Sequence, residues 1–336
     1  MANFDTIAGL KIPVVSSDPS NPLQGEIWYN STADKFRGYG LYSVTAAWTS
    51  SPASLNSGRR ACAGAGTSSE GLAFAGYIGG FPRFNGTESW NGSSWSTEPS
   101  LPTPLGQGIT HVGVGKSSCA GVGGYYFSGP SASVGNRHSQ GNGSAWSSST
   151  AIPATRYGMG GCGVYNNMMV SGGAHANGGY FPQTSSYTWN GSAWADSPAA
   201  NWSPGTAAEF TSWGTSSTNW YASPSSSQTA IYVYNGSSWA TSPATFPSSL
   251  SSRTIWGNSS AAASVHDTLT QTWNGSAWAT SPASANSNHR EAMRSNATTS
   301  STDGWVFGGG PGNGVTSGET FVGPQNSVTT VNLDFS

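Results

Sequence analysis

Charge is what this sequence has least of: Asp, Glu, Lys and Arg make up 8% of its 336 residues, and the formal net charge is −2. Nucleic acids and anionic membranes are bound through clustered Lys and Arg, so the composition argues against both as partners. Scarce carboxylates leave no facing Asp or Glu pair to nominate for glycoside hydrolysis, and no Gly-x-x-x-x-Gly-Lys run exists to cradle a phosphate. Cysteine is limited to Cys62, Cys119 and Cys162. An odd number without a Cys-x-x-Cys pair or matching His spacing gives neither a disulfide framework nor a zinc site, and the three read as small buried hydrophobes. The five histidines, His111, His138, His175, His266 and His289, share no i, i+2 or i, i+4 spacing, so no metal is expected. His266 beside Asp267 is no acid–base pair either, because adjacent residues of a strand point to opposite faces. No apolar run approaches the ~20 residues of a membrane span, and Met1–Leu10 lacks the basic and apolar regions of a signal peptide. The expectation is a soluble, unprocessed protein that is not an enzyme and carries no cofactor.

What is present points to β-structure. Trp 15, Tyr 13 and Phe 12 supply large apolar groups that a disordered chain lacks. Gly 46, with abundant Ser and Thr, suits many tight turns and short strands. One phrase, Asn-Gly-Ser-(Ser/Ala)-Trp, recurs at Asn91–Trp95, Asn142–Trp146, Asn190–Trp194, Asn235–Trp239 and Asn274–Trp278, with a degenerate copy ending at Trp48. Successive Trp positions lie 47, 51, 48, 45 and 39 residues apart, the period of a four-stranded repeat. Helical repeats of similar period need apolar residues at 3.6 spacing, and Gly, Ser and Thr fill these units instead.

Asn-Gly favours a two-residue type I′ hairpin turn, in which both central residues have positive φ. Aromatics flank each turn and are placed to pair across the strands. A proline follows each Trp, at Pro52, Pro99, Pro153, Pro198, Pro243 and Pro282, where it ends the strand. The same turn explains the Asn-x-Ser/Thr matches without invoking glycosylation. Two further strands per unit are read upstream, in the first unit near Arg60–Thr67 and Gly71–Gly76. The second strand ends in paired glycines at Gly123–Gly124, Gly172–Gly173 and Gly308–Gly309, which let backbones approach closely.

An Arg before the first strand, a Gly-Gly strand end, an aromatic-rich strand, a tight turn and a Trp together resemble the kelch repeat over residues 40 to 336. The fourth and fifth units lack the glycine pair, and Asn-Gly replaces a longer loop. The resemblance implies an all-β, six-bladed kelch-like β-propeller, closed by an N-terminal strand, with a short N-terminal extension at residues 1–39. Closure is open between two pairings: Tyr42–Ser50 as the missing outer strand of the last blade, or Tyr42–Ser50 against Val328–Phe335.

Residues 1–39 have a different texture. After Pro13, Pro19 and Pro22, the run Gly25-Glu-Ile-Trp-Tyr-Asn-Ser-Thr-Ala-Asp-Lys-Phe-Arg-Gly38 reads as a small hairpin. A Gly-x-x-Trp-Tyr-Asn-x-Thr pattern before a basic-aromatic strand resembles segments of tailed-bacteriophage virion proteins. That resemblance implies a virion structural or adhesion protein, such as a tail fibre used in host attachment, made in the host cytoplasm and carried on the particle. Its partners would be other virion proteins, a host surface glycan or copies of the chain itself. A capsid decoration protein and a soluble carbohydrate-binding kelch-like lectin are the alternatives. Trp28, Tyr29 and Phe36 are the expected docking anchors, unless the hairpin instead plugs the propeller. Tyr125, Tyr126, Trp202, Trp220 and Tyr221 lie off the repeated Trp positions and are the candidate ligand-binding aromatics, with loop packing as the competing role.

Overall fold

The structure is a computed structural model that describes residues 12–79, 84–103, 108–128, 131–175, 181–199, 210–216, 219–224, 228–250, 253–285, 294–295, 301–310, 314–323 and 325–333. All its regular elements are strands, so the fold is all-β. The chain divides into two compact units, residues 46–323 and residues 1–45 with 324–336.

The small unit is a four-stranded sheet. Val14–Val15 pairs in parallel with Ile27–Asn30, which turns back antiparallel on Lys35–Val44, and Lys35–Val44 pairs antiparallel with Gln325–Asn332. Strand alternation sets its two faces. Trp28 and Asn30 are buried on one, where both donate to Asp18 Oδ1, at 2.9 and 2.8 Å.

Among the described residues of the large unit, six sheets of three or more strands follow in sequence order, beside two two-stranded pairs, Tyr125–Ser128 with Ser131–Val134 and Ala174–His175 with Phe181–Pro182. The first comprises Ala63–Gly66, Gly71–Phe74, Thr87–Trp90 and Trp95–Glu98, with Arg294–Ser295 added in parallel to its first strand. The second comprises Thr110–Gly115, Ser118–Val122, His138–Gly141 and Trp146–Ser148, and the third Gly160–Val164, Asn167–Ser171, Ser186–Trp189 and Trp194–Ser197. The fourth runs Phe210–Ser216, Asn219–Pro224, Ala230–Tyr234 and Trp239–Thr245, and the fifth Thr254–Gly257, Ala262–His266, Leu269–Trp273 and Trp278–Ser284. In the sixth, Asp303–Phe307 and Gly318–Val322 are completed by Ala47–Ser50, with Trp48 opposite Phe321. Of the two anticipated pairings of Tyr42–Ser50, the first holds for Ala47–Ser50, which joins the sixth sheet; the second does not form, because Val328–Asn332 pair with Arg37–Leu41, and Tyr42–Val44 lie opposite Gln325–Ser327 instead.

The repeated turn differs from the expected type I′ form. Trp90 pairs with Trp95, so the connection is the four residues Asn91–Ser94. Gly92 has φ +90° while Asn91 is not among the positive-φ residues. The asparagine acts through its side chain: Asn91 Oδ1 accepts from the backbone N–H of Ser93 at 3.0 Å and of Ser94 at 2.8 Å, an Asx turn. The same pair of bonds recurs at Asn142, Asn190, Asn235 and Asn274. It recurs again at Asn258, between the first two strands of the fifth sheet, where serine follows instead of glycine.

Six apolar clusters fill the spaces between sheets, and each joins two of them. Phe74 of the first sheet meets Ile109 and Cys119 of the second, and Val122 of the second meets Met168 and Trp189 of the third. Cys162 meets Trp220, Trp213 meets Trp273, and Trp256 meets Phe321 across the next three seams. The sixth cluster joins Trp305 and Phe307 of the last sheet to Trp90 and Trp95 of the first. Large rings face small residues: a Cβ added at Gly71 would lie 2.1 Å from the ring of Trp305. Glycine pairs seal two seams through the backbone. Gly124 N donates to Arg156 O at 2.8 Å, and Gly309 N to Arg59 O at 2.9 Å. A Cβ at Gly308 would lie 2.3 Å from that same Arg59 oxygen, so the close approach requires glycine.

Candidate functional site

Many of the few ionisable groups are spent inside the fold. Arg59 is fully buried, pairs with Glu88, donates to Gly86 O at 3.1 Å and lies over the Phe84 ring. Glu88 also accepts from the backbone N–H of Asn56 at 2.6 Å, so the buried pair is satisfied on both sides. Arg156 donates to Gly172 O and Ser185 Oγ, at 3.0 and 2.6 Å. Arg253 donates to Ser248 O at 2.6 Å beneath the Phe246 ring, and burial pulls its guanidinium down to about 10. His138 is buried edge-on against Trp189 and Trp194, with Nδ1 3.2 Å from Thr150 O. Burial holds it neutral by lowering its pKa to about 4. Burial likewise pushes the Cys119 thiol up to about 12 and Cys162 well above its ordinary value, which leaves both unreactive as thiolates. Among the described residues no three His, Cys, Asp or Glu side chains are grouped to hold a metal.

The aromatics singled out from the sequence are dispersed, and two of them are turned inward. Trp220 is 0% exposed, in the cluster between the third and fourth sheets. It pairs with Tyr234 in strand register, the position that Gly71 and Ala262 occupy in the first and fifth sheets, and fills the wedge over Gly160. Its face is therefore closed to a ligand, which corrects its assignment as a surface aromatic. Tyr221 stacks on Trp213 at 5.2 Å with planes 8° apart and is half-buried. Tyr125 begins a hairpin, Tyr125–Ser128 with Ser131–Val134, inserted within the second sheet, and its ring lies 4.1 Å from that of Tyr157. The Tyr126 side chain and all of Trp202 lie outside the described residues.

In the small unit the expected anchors divide. Trp28 is 2% exposed and bonded to Asp18, so it is a core residue and not an anchor. Hydrogen bonds from Asn30 and Trp28 hold the Asp18 carboxyl below its ordinary pKa. Tyr29 and Phe36 pair across the other face, with centroids 5.1 Å apart, and their register places Val14, Ile27 and Val331 on the same side. Tyr29 donates to Asp34, which raises the phenol pKa. Val14 and Ile27 are exposed.

A third feature was missed. Between the second and third sheets lies a cavity of about 180 Å³ lined by Ser117, Gln140, Asn142, Trp146, Ser147 and Tyr165. It sits where the second sheet departs from the others: Trp146 faces Gly141 across the turn, whereas the other described turns pair Trp90/Trp95, Trp189/Trp194, Tyr234/Trp239 and Trp273/Trp278. Like the other repeated indoles, Trp146 leans onto the preceding sheet, meeting Phe74 at 4.8 Å and donating to Thr87 Oγ1 at 3.0 Å. The expected aromatic on both sides of each turn fails here, where Gly141 stands before Asn142, and that departure from the repeat was the available signal. No protein-family model and no curated protein matches this chain.

Proposed function

We propose that the six sheets are the blades of one six-bladed kelch-like propeller, and that the protein is a displayed structural or adhesive component of a tailed-phage particle. The observation that carries this reading is the division of labour between the two units. The repeats turn many of their charged groups inward as struts, Arg59 with Glu88 foremost. Segments from both sides of the repeats meet in a separate sheet whose Val14, Ile27, Tyr29 and Phe36 share one face. A rigid body with a small apolar attachment sheet suits display on an assembly. The propeller reading is supported by the sixth cluster, which packs Trp305 and Phe307 on Trp90 and Trp95, and by the outer strand Ala47–Ser50, since closure protects sheet edges.

Mass spectrometry of purified particles tests it. The expected result is the chain in stoichiometric amount in virions, with incorporation lost in an Ile27→Asp, Tyr29→Ser double variant that still folds. Virions that lack the chain would overturn the reading. Immunogold labelling then separates tail fibre from capsid decoration. A soluble kelch-like lectin is the second reading, favoured by the groove beside Trp146. Saturable glycan binding by a protein found in cells but not in particles would select it.

A further inference from the structure

We propose that the groove between the second and third sheets binds a single neutral sugar ring, a pyranose residue of a glycan. The proposal deepens the display reading by naming a ligand class for the propeller, and rests on that reading only for where the glycan comes from.

The chemistry of the lining selects the ligand. Ser117, Gln140, Asn142 and Ser147 offer only neutral hydroxyl and amide groups, with Trp146 and Tyr165 as the aromatic members. The nearby charges are consumed in a pair, Lys116 Nζ 3.0 Å from Glu98. Among the described lining residues an anion finds no cation, and a purely apolar ligand would leave these polar groups unpaired. A pyranose presents a hydroxyl rim for donors and acceptors and a C–H face for an aromatic ring.

The polar groups are held in place before any ligand arrives. Gln140 Nε2 donates to Tyr165 O at 3.2 Å, tying the two sheets that wall the groove and leaving Oε1 as an acceptor. Asn142 Oδ1 is engaged by the N–H groups of Ser144 and Ala145, which leaves Nδ2 as the donor end. A volume of about 180 Å³ falls below the range for larger ligands. It therefore fits one ring, with weak affinity at a single site. Display in many copies would multiply that affinity through effective concentration.

The test is saturation-transfer NMR of the full chain with glucose, galactose, mannose and N-acetylglucosamine, and with glucuronate as the charged control. We expect at least one neutral sugar to bind saturably at millimolar concentration and glucuronate not to bind. Tyr165→Ser and Ser147→Phe, the second filling the groove from an exposed position, should each weaken binding at least tenfold with the thermal unfolding midpoint of Ser147→Phe unchanged. Absence of neutral-sugar binding, or binding unaltered in both variants, would overturn the site. Particle incorporation of the same variants is scored separately: sugar-blind protein that is still incorporated removes the site and leaves the display reading intact.

Discussion

The indole of Trp95, on the outer strand of the first sheet, meets the ring of Phe307 in the sixth sheet edge-to-face, with centroids 4.7 Å apart and planes at 81°. The two residues are 212 positions apart in the sequence. Equivalent indoles make equivalent contacts along the chain: Trp278 of the fifth sheet meets Trp213 of the fourth at 5.3 Å and 84°, and Trp48 of the sixth meets Trp256 of the fifth at 5.8 Å and 84°. The repeated Trp is the mortar toward the preceding sheet.

If the seam between the last and first sheets matches the others, Trp95→Ala and Trp278→Ala should destabilise the protein similarly, by about 3–5 kcal/mol. Trp95→Ala combined with Phe307→Ala should be less than additive, because the two share one contact. Urea denaturation measures each. A cost for Trp95→Ala below about 1 kcal/mol would show that the seam carries no stability.

The turns separate two roles for asparagine. Were positive φ its purpose, Asn91→Gly would be neutral. An Asx turn instead loses its acceptor, so Asn91→Gly and Asn91→Ala should both cost about 1 kcal/mol while Asn91→Asp is tolerated. Gly92→Ala should cost about the same or more, since φ is +90° and the new Cβ would lie 3.1 Å from Ser69 O. Equilibrium unfolding of these single variants decides between the roles.

Removing one member of the Arg59–Glu88 pair leaves a charge fully inside. We expect Glu88→Gln and Arg59→Met each to destabilise by about 3–5 kcal/mol, and the double replacement by Met and Leu to recover part of that loss. A double variant as unstable as the sum of the singles would show that packing, not charge, sets the cost.

His138 is neutral in the fold to about pH 4 and has an ordinary pKa of 6.5 when unfolded. The unfolded chain therefore takes up the proton first as pH falls, and stability drops between about pH 6.5 and 4. The contribution is on the order of 2–3 kcal/mol at pH 4.5 relative to pH 7. His138→Phe should flatten the stability profile over that window, read by denaturation at a series of pH values. An unchanged slope would show that His138 is not its source.

Local chemistry fixed the repeat without help from the tertiary structure. The Asn-Gly-Ser-(Ser/Ala)-Trp phrase placed every hairpin it marks, since the turn closes through bonds within four residues, and the glycine pairs marked two seams. Other features waited for packing. Asn91 and its equivalents were read as positive-φ residues because composition shows a turn but not which atom stabilises it. Trp220 and Trp28 stood off the repeat and read as surface groups, yet each is buried, because alternation along a strand assigns side chains to two faces without saying what covers either one. Trp220 is covered because the third sheet offers Gly160 and Cys162 opposite, and Trp28 because the chain around Asp18 folds over it. The groove beside Trp146 exists only where the second and third sheets meet. Sequence set the strands and turns through contacts of short range, whereas burial and cavities depended on neighbours brought together from distant positions.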